Sequence, residues 1–354
     1  MPSNLPACNG NALLTASLVA DLSTLKDISP LGHTNSNNGN SGHVLPVNHL
    51  YLDHYGPPAD ANGSPIEIIP LTAPGDIEVY QVYATDHVNS AGVHTLSDSK
   101  LYFATCKDVA FWVDHVQNLN PTITTAMQAV PKTDCRKNVM DNLTYNSCVY
   151  NITLRLKSGT SIGQGGADFG AVDYRIKPQT FIRPDSQQYL YSVCGLSYFT
   201  EPYKTQMYKK LDNTKIDASG LPDCGTDMWD QAGTIQGNWF LPNTPKNGGY
   251  YDPYALVIIP LNTDPSQGNI DWGSGIAPAD HINFLMQNSG TLNRNLVQVT
   301  TDGKVYCFQD TAQGVAYARS VILQLVDDST LKAQYHSGVC PYSPTLTSPT
   351  TYIR

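Results

Sequence analysis

The chain has 354 residues, 41% of them hydrophobic, which is enough to bury a sizeable core, and its length predicts roughly two domains. Only 14% are charged, and Asn, Thr, Ser, Gly and 21 Tyr take the place of the missing charge, which excludes an ordinary cytosolic helical enzyme and suits an exported β protein. The net charge of −9 is spread without long runs of one sign, so nucleic acid and anionic membrane are poor partners.

Residues 12–20 are mildly apolar, with Thr15 and Ser17 inside and no preceding Lys or Arg. They predict a short helix ending near Lys26 and packed on the first domain, rather than an export leader. Residues 30–48, rich in Pro, Gly and Asn, read as loop. From His49 onward short β-rich runs follow one another over residues 49–53, 77–83, 100–104, 109–113 and 149–156, with a helical turn within 118–127. Two X-Pro steps, Lys177-Pro178 and Arg183-Pro184, favour an extended linker near residue 180. Beyond them a helix is predicted over 202–211 and strands over 254–259, 296–300, 305–308 and 320–326. The tail from Ser343 is rich in Pro, Ser and Thr and reads as an extended arm. No apolar run approaches the ~20 residues a membrane helix needs, so membrane insertion is not expected. The fold class is mainly β, with an N-terminal segment 1–29, a β domain 30–178, a second β-rich domain 179–342 and a tail 343–354.

The eight cysteines form no C-x-x-C pair, and their scatter fits disulfides made in an oxidising compartment. Closeness in sequence favours Cys135–Cys148, Cys194–Cys224 and Cys307–Cys340, which leaves Cys8 for Cys106, although many other pairings satisfy the same count. The expected location is therefore extracellular or on the cell surface. Asn62, Asn142 and Asn151 each open a glycosylation triplet.

His49-x-x-x-Asp53 supplies imidazole and carboxylate, residue types that suit zinc. On a flat strand the two lie ~13 Å apart, so both reach one ion only if the strand bends or ends between them. Downstream come Pro70-Leu-Thr-Ala-Pro-Gly75, then Val113-Asp-His115-Val, then a glycine-rich turn from Lys157 through Gly163 to Gly166. In this order, over residues 30–176, the chain resembles the M23 (lysostaphin/LytM-like) zinc peptidase family. The resemblance implies an antiparallel β-sandwich or barrel-like domain, with His49 and Asp53 as two zinc ligands and His115 as the catalytic histidine outside the metal shell. The family closes with a His-x-His pair after the glycine-rich turn, whereas this chain reads Ala167-Asp168-Phe169-Gly170. Asp168 takes the third ligand's place, on the condition that Phe169 aligns with the aromatic residue after that pair. A His/Asp/Asp set is more anionic, makes zinc a weaker Lewis acid and lacks the family's base. The expectation is a catalytically degenerate domain, with Zn2+ as the conceivable cofactor.

The C-terminal half offers no hydrolase motif but clusters Trp229, Trp239, Tyr251 and Trp272 among Asn, Asp and Gly, a composition able to stack on sugar rings. Three functions are in play. One is a noncatalytic secreted or surface protein that binds glycan or peptidoglycan. The second is an active zinc endopeptidase acting on cell-wall peptides. The third is a structural subunit of an extracellular assembly or homo-oligomer, in which an exposed terminal strand pairs with a neighbour's sheet edge.

Overall fold

A computed structural model describes residues 4–37, 40–54, 69–140, 143–165, 167–178, 187–245, 251–311 and 319–354. In chain order the first half runs β1 (Leu25–Ser29), β2 (Asn35–Asn37), β3 (Asn40–His43), β4 (His49–His54), β5 (Ile69–Thr72), β6 (Ile77–Asn89), β7 (His94–Cys106), β8 (Val109–Val116), α1 (Pro121–Gln128), β9 (Thr133–Met140), β10 (Leu143–Leu156), β11 (Ser161–Gly165) and β12 (Ala167–Asp173). After α2 (Gln187–Leu190), β13 (Ser192–Val193) and α3 (Tyr203–Tyr208) come β14 (Gly237–Phe240), β15 (Ala255–Pro260), β16 (Gln267–Trp272), β17 (Asp280–Leu285), β18 (Tyr306–Gln309), β19 (Ser320–Asp327), β20 (Thr330–His336) and β21 (Thr350–Ile353). The protein is mainly β, as its composition predicts.

The described residues build two large antiparallel sheets. The first has nine strands, ordered β1-β4-β12-β8-β7-β6-β10-β9, with β13 added to β12. Alternation sends Leu50, Leu52, Phe169, Ala171, Phe111, Val113, Leu101 and Phe103 to one face, where they meet Leu14, Leu71, Ile162 and Leu196 in a dry core. The second sheet has eight strands, ordered β17-β16-β15-β14-β21-β20-β19-β18, and curls into a near-barrel. Its ends approach at β17 and the segment after β18, where Thr311 N donates to Asn283 O at 2.9 Å. Trp239, Trp272, Phe284, Phe308 and Tyr352 fill its interior.

All eight cysteines pair as Cys8–Cys106, Cys135–Cys148, Cys194–Cys224 and Cys307–Cys340. Four disulfides fit folding in an oxidising compartment. Among the described residues no helix is long and apolar enough to cross a membrane.

Several elements differ from the sequence expectation. Residues 12–20 form no α-helix. They lie extended across the first unit, with Leu14 N bonded to Tyr198 O and Leu18 O to Thr72 N, before a single 3-10 turn at Leu22–Thr24. Tertiary partners satisfy this backbone and so override its helix propensity. Residues 296–300 form a 3-10 turn at Leu296–Gln298, because the Asn295 side chain accepts from Val297 N and caps it. The change of core comes later than the X-Pro steps suggest, since Leu196, Tyr198, Phe199, Met207 and Cys224 all pack on the first core. The terminal arm is not free for a neighbour: β21 is hydrogen-bonded between β14 and β20 of its own sheet.

Candidate functional site

The face of the first sheet opposite its main core carries the chemistry. Register places Tyr102, Trp112, Gly170 and His49 in one row, with Asp114, Asp168 and Tyr51 in the next. A Cβ on Gly170 would meet the Trp112 ring at 2.0 to 2.7 Å, so the missing side chain is what lets the indole lie across the sheet. Lys100 sits over the Trp112 ring at 5.2 Å and pairs with Asp114 at 3.2 Å.

Asp168 is the centre. Its Oδ2 lies 3.4 Å from His49 Nε2 and 3.5 Å from His115 Nε2. Both imidazoles are held from behind: His49 Nδ1 lies 3.3 Å from Asn48 Oδ1, and His115 Nδ1 lies 2.8 Å from Asp98 Oδ2. With the ring proton donated at Nδ1, each Nε2 faces the Asp168 carboxylate, an arrangement that needs a second proton or a cation between them. His87 Nε2 approaches the other oxygen of Asp98 at 3.4 Å.

The charges follow from these contacts. The hydrogen bond to Asp98 lifts His115 to about 9, so the ring is an imidazolium at neutral pH, and half of it is exposed to water. Burial would raise Asp98, but the bonds from His115 and His87 outweigh it and hold the carboxyl near about 2. Asp168 is likewise opposed by burial, yet His49, His115 and Lys100 keep it below the usual carboxylate range. His33 contacts Tyr51 edge-on at 5.2 Å, and desolvation followed by the field of His49 lowers it to about 4, which keeps it neutral. His43 packs edge-on to His49 with ring centroids 5.9 Å apart.

The structure thus brings His49, His115 and Asp168 together, but not Asp53. Strand β4 runs unbroken from His49 to His54, paired in regular register with β12 from His49 to Leu52 and with β1 from Tyr51 to Asp53, before a register shift opposite His54, so no break in the strand falls between His49 and Asp53. Asp53 instead accepts from Ser29 Oγ at 3.2 Å. Among the described residues no group of three or more His, Cys, Asp or Glu is arranged to hold a metal ion. Asp53 therefore stands apart from the His49/Asp168 contact.

The stacking candidates also need correcting. Trp239 and Trp272 have no exposed surface, and each indole donates to a backbone carbonyl, of Ile235 and Pro278 respectively. Neither offers a face to a sugar. Trp229 and Tyr251 are half-buried against the cluster around Val44, Leu45 and Phe240.

Asp98, His87, Lys100 and Trp112 were invisible to motif reading, because they reach the site through strand pairing rather than spacing. The alternating run around Lys100 and Trp112 was the available signal. His33 and His43, which read as solvated loop residues, lie against Tyr51 and His49. Around the Gly170 row, Asn48 Nδ2 and Trp112 Nε1 are buried without a hydrogen-bond partner among the described residues, and His49 Nε2 has only the 3.4 Å approach of Asp168. Comparison with protein-family models, curated proteins and solved structures gives no match for this chain.

Proposed function

We propose that the protein is a noncatalytic binding protein of the cell exterior, which uses the His49/Asp168/His115 face to hold a polar ligand of the glycan or peptidoglycan class. The observation that carries this reading is the pair of buried donors Asn48 Nδ2 and Trp112 Nε1, which have no hydrogen-bond partner among the described residues. A buried donor left unpaired costs about 1–3 kcal/mol, a cost that a ligand carrying hydroxyl or amide oxygens removes. The half-exposed His115 imidazolium and the adjoining Tyr51 supply further polar contacts. The noncatalytic reading rests on Asp53, which bonds Ser29 on the neighbouring strand instead of joining His49 and Asp168. Export is supported by the four disulfides.

A second reading, a zinc endopeptidase acting on cell-wall peptides, is favoured by one observation. Both histidines are anchored at Nδ1 and present Nε2 to Asp168, as metal-ligating histidines commonly are.

One experiment separates the readings. Purified protein is supplemented with zinc, its metal content is measured by mass spectrometry, and it is incubated with insoluble cross-linked peptidoglycan. The expected outcome is sedimentation with the wall material, weakened about tenfold or more by His115→Ala, with little zinc and no release of peptides. One zinc per chain, lost in His49→Ala together with peptide release, would establish the peptidase instead. No sedimentation and no zinc would sink both.

A further inference from the structure

Residues 32–37 and 40–47 belong to a strap that leaves the first sheet and returns to it, closed at its base by Gly32 N donating to Val47 O and Val47 N to His33 O, both at 2.9 Å. Its β2–β3 hairpin packs on β16 and β17 of the second sheet, while His33 and His43 rest against Tyr51 and His49 of the candidate site. The strap therefore bridges the two sheets over the site.

Two carboxylates of the second unit hold it. Asp271, with no exposed surface, bonds through both oxygens to Ser36, one to the hydroxyl and one to the backbone N–H. Asp252, 8% exposed, accepts from Leu45 N at 2.9 Å. Among the described residues neither forms an ion pair. The groups facing Asp271 are Thr34 and Ser36 on the strap, Asn269 on its own strand, His281 across the β16–β17 pair and Asp252 from the preceding turn. His281 spends its Nδ1 on Ser36 O at 2.6 Å, and Arg319 is committed to Asp280 and Asp310. Asp252 faces Tyr189 and Tyr51, which bring no positive charge, and Asp271 itself.

We propose that the strap is an acid-side latch: it is seated on the second sheet while Asp271 and Asp252 carry protons, and it is released from the His49/Asp168 face as the two ionise. With Asp271 protonated, its O–H points at Ser36 Oγ, the reverse of the Ser36 donation that an ionised Asp271 accepts, and Ser36 donates to Asp280 O at 2.8 Å. Ionisation removes that donor, puts two like charges in one dry junction and leaves no cation to answer them. Undocking the strap returns both carboxylates to water. Desolvation, the first cause in each case, raises Asp252 to about 7 and Asp271 well above the usual range, in keeping with this geometry. The latch stands whatever the face beneath it binds.

The test is hydrogen–deuterium exchange read by mass spectrometry at pH 5 and pH 8.5, corrected for intrinsic exchange, comparing peptides over residues 32–47 with peptides over β8. In the wild type, strap protection should fall about tenfold or more relative to β8 at the higher pH. In the D271N/D252N double variant, whose amides cannot ionise, that pH dependence should vanish. Unchanged wild-type strap protection, or the same loss in the double variant, would overturn the latch. Should the double variant fail to fold, infrared titration of the wild type decides. A protonated-carboxyl band that disappears together with strap protection supports the latch, and one absent at pH 5 refutes it.

Discussion

His115 has a left-handed backbone (φ 57), in a region an L-residue enters at some cost. Plain alternation along β8 would send its ring to the core side with Val113. The kink, with the register shift between β7 and β8, swings the ring to the opposite face, where Asp98 and Asp168 wait. Motif order was enough to single out His49, His115 and Asp168 in the sequence, but not the group that charges His115. Asp98 sits 17 residues away and meets it only through the kink. Replacing Asp98 with Asn keeps the shape and removes the charge. The His115 ring signals, followed by NMR titration, should then move from about 9 down toward the ordinary ~6.5. A midpoint that stays near 9 would mean Asp168 or Asp114 holds the proton instead.

At the level of elements, strands were legible because their apolar positions alternate, and all five predicted runs in the first half simply extend further in the structure. β6 and β7 reach Asn89 and His94 because their polar ends still pair with each other. The straightness of β4 was not legible, since nothing in His49-Leu-Tyr-Leu-Asp53 signals a bend or forbids one. Nor was the destination of β21. Tyr352 is fully buried, and Arg354 donates to the carbonyls of Gln231, Thr234, Gln236 and Asp328 while covering the Trp239 ring. Tyr352→Ala should cost about 3–5 kcal/mol, as other large core truncations do, and should lower the unfolding midpoint in denaturant. A midpoint within error of the wild type would show that β21 contributes little to the sheet.

For the whole molecule, buried acids set the pH response. Asp227 and Asp252 are raised to about 7 by burial, and Asp271 is raised further in direction. Such groups bind protons more tightly folded than unfolded, so their contribution is complete below ~4 and is lost as pH rises through about 7. Asp98 and Asp168 are lowered and act oppositely, contributing above ~4 and failing at lower pH, Asp98 as the pH falls through about 2. His115, raised to about 9, contributes below ~6.5 and adds to the loss at alkaline pH. Thermal unfolding should therefore be most resistant near pH 4–6 and decline toward pH 9. A Tm that climbs steadily from pH 5 to 9 would contradict this balance. The two-unit, β-rich, disulfide-linked plan was readable from composition and cysteine spacing. The late change of core was not, because residues 195–224 return to the first core through contacts that no local pattern announces.

Placing β21 between β14 and β20 also orders events during synthesis. The first nine-stranded sheet has all its strands once residue 193 has left the ribosome, whereas the second stays split in two until residue 353 emerges. Until then the facing edges of β14 and β20 are unpaired, and each is a template for a foreign strand. A chain stalled or cut before β21 would carry a finished first unit and an adhesive second one. Residues 350–353 thus act as the molecule's own guard against aggregation.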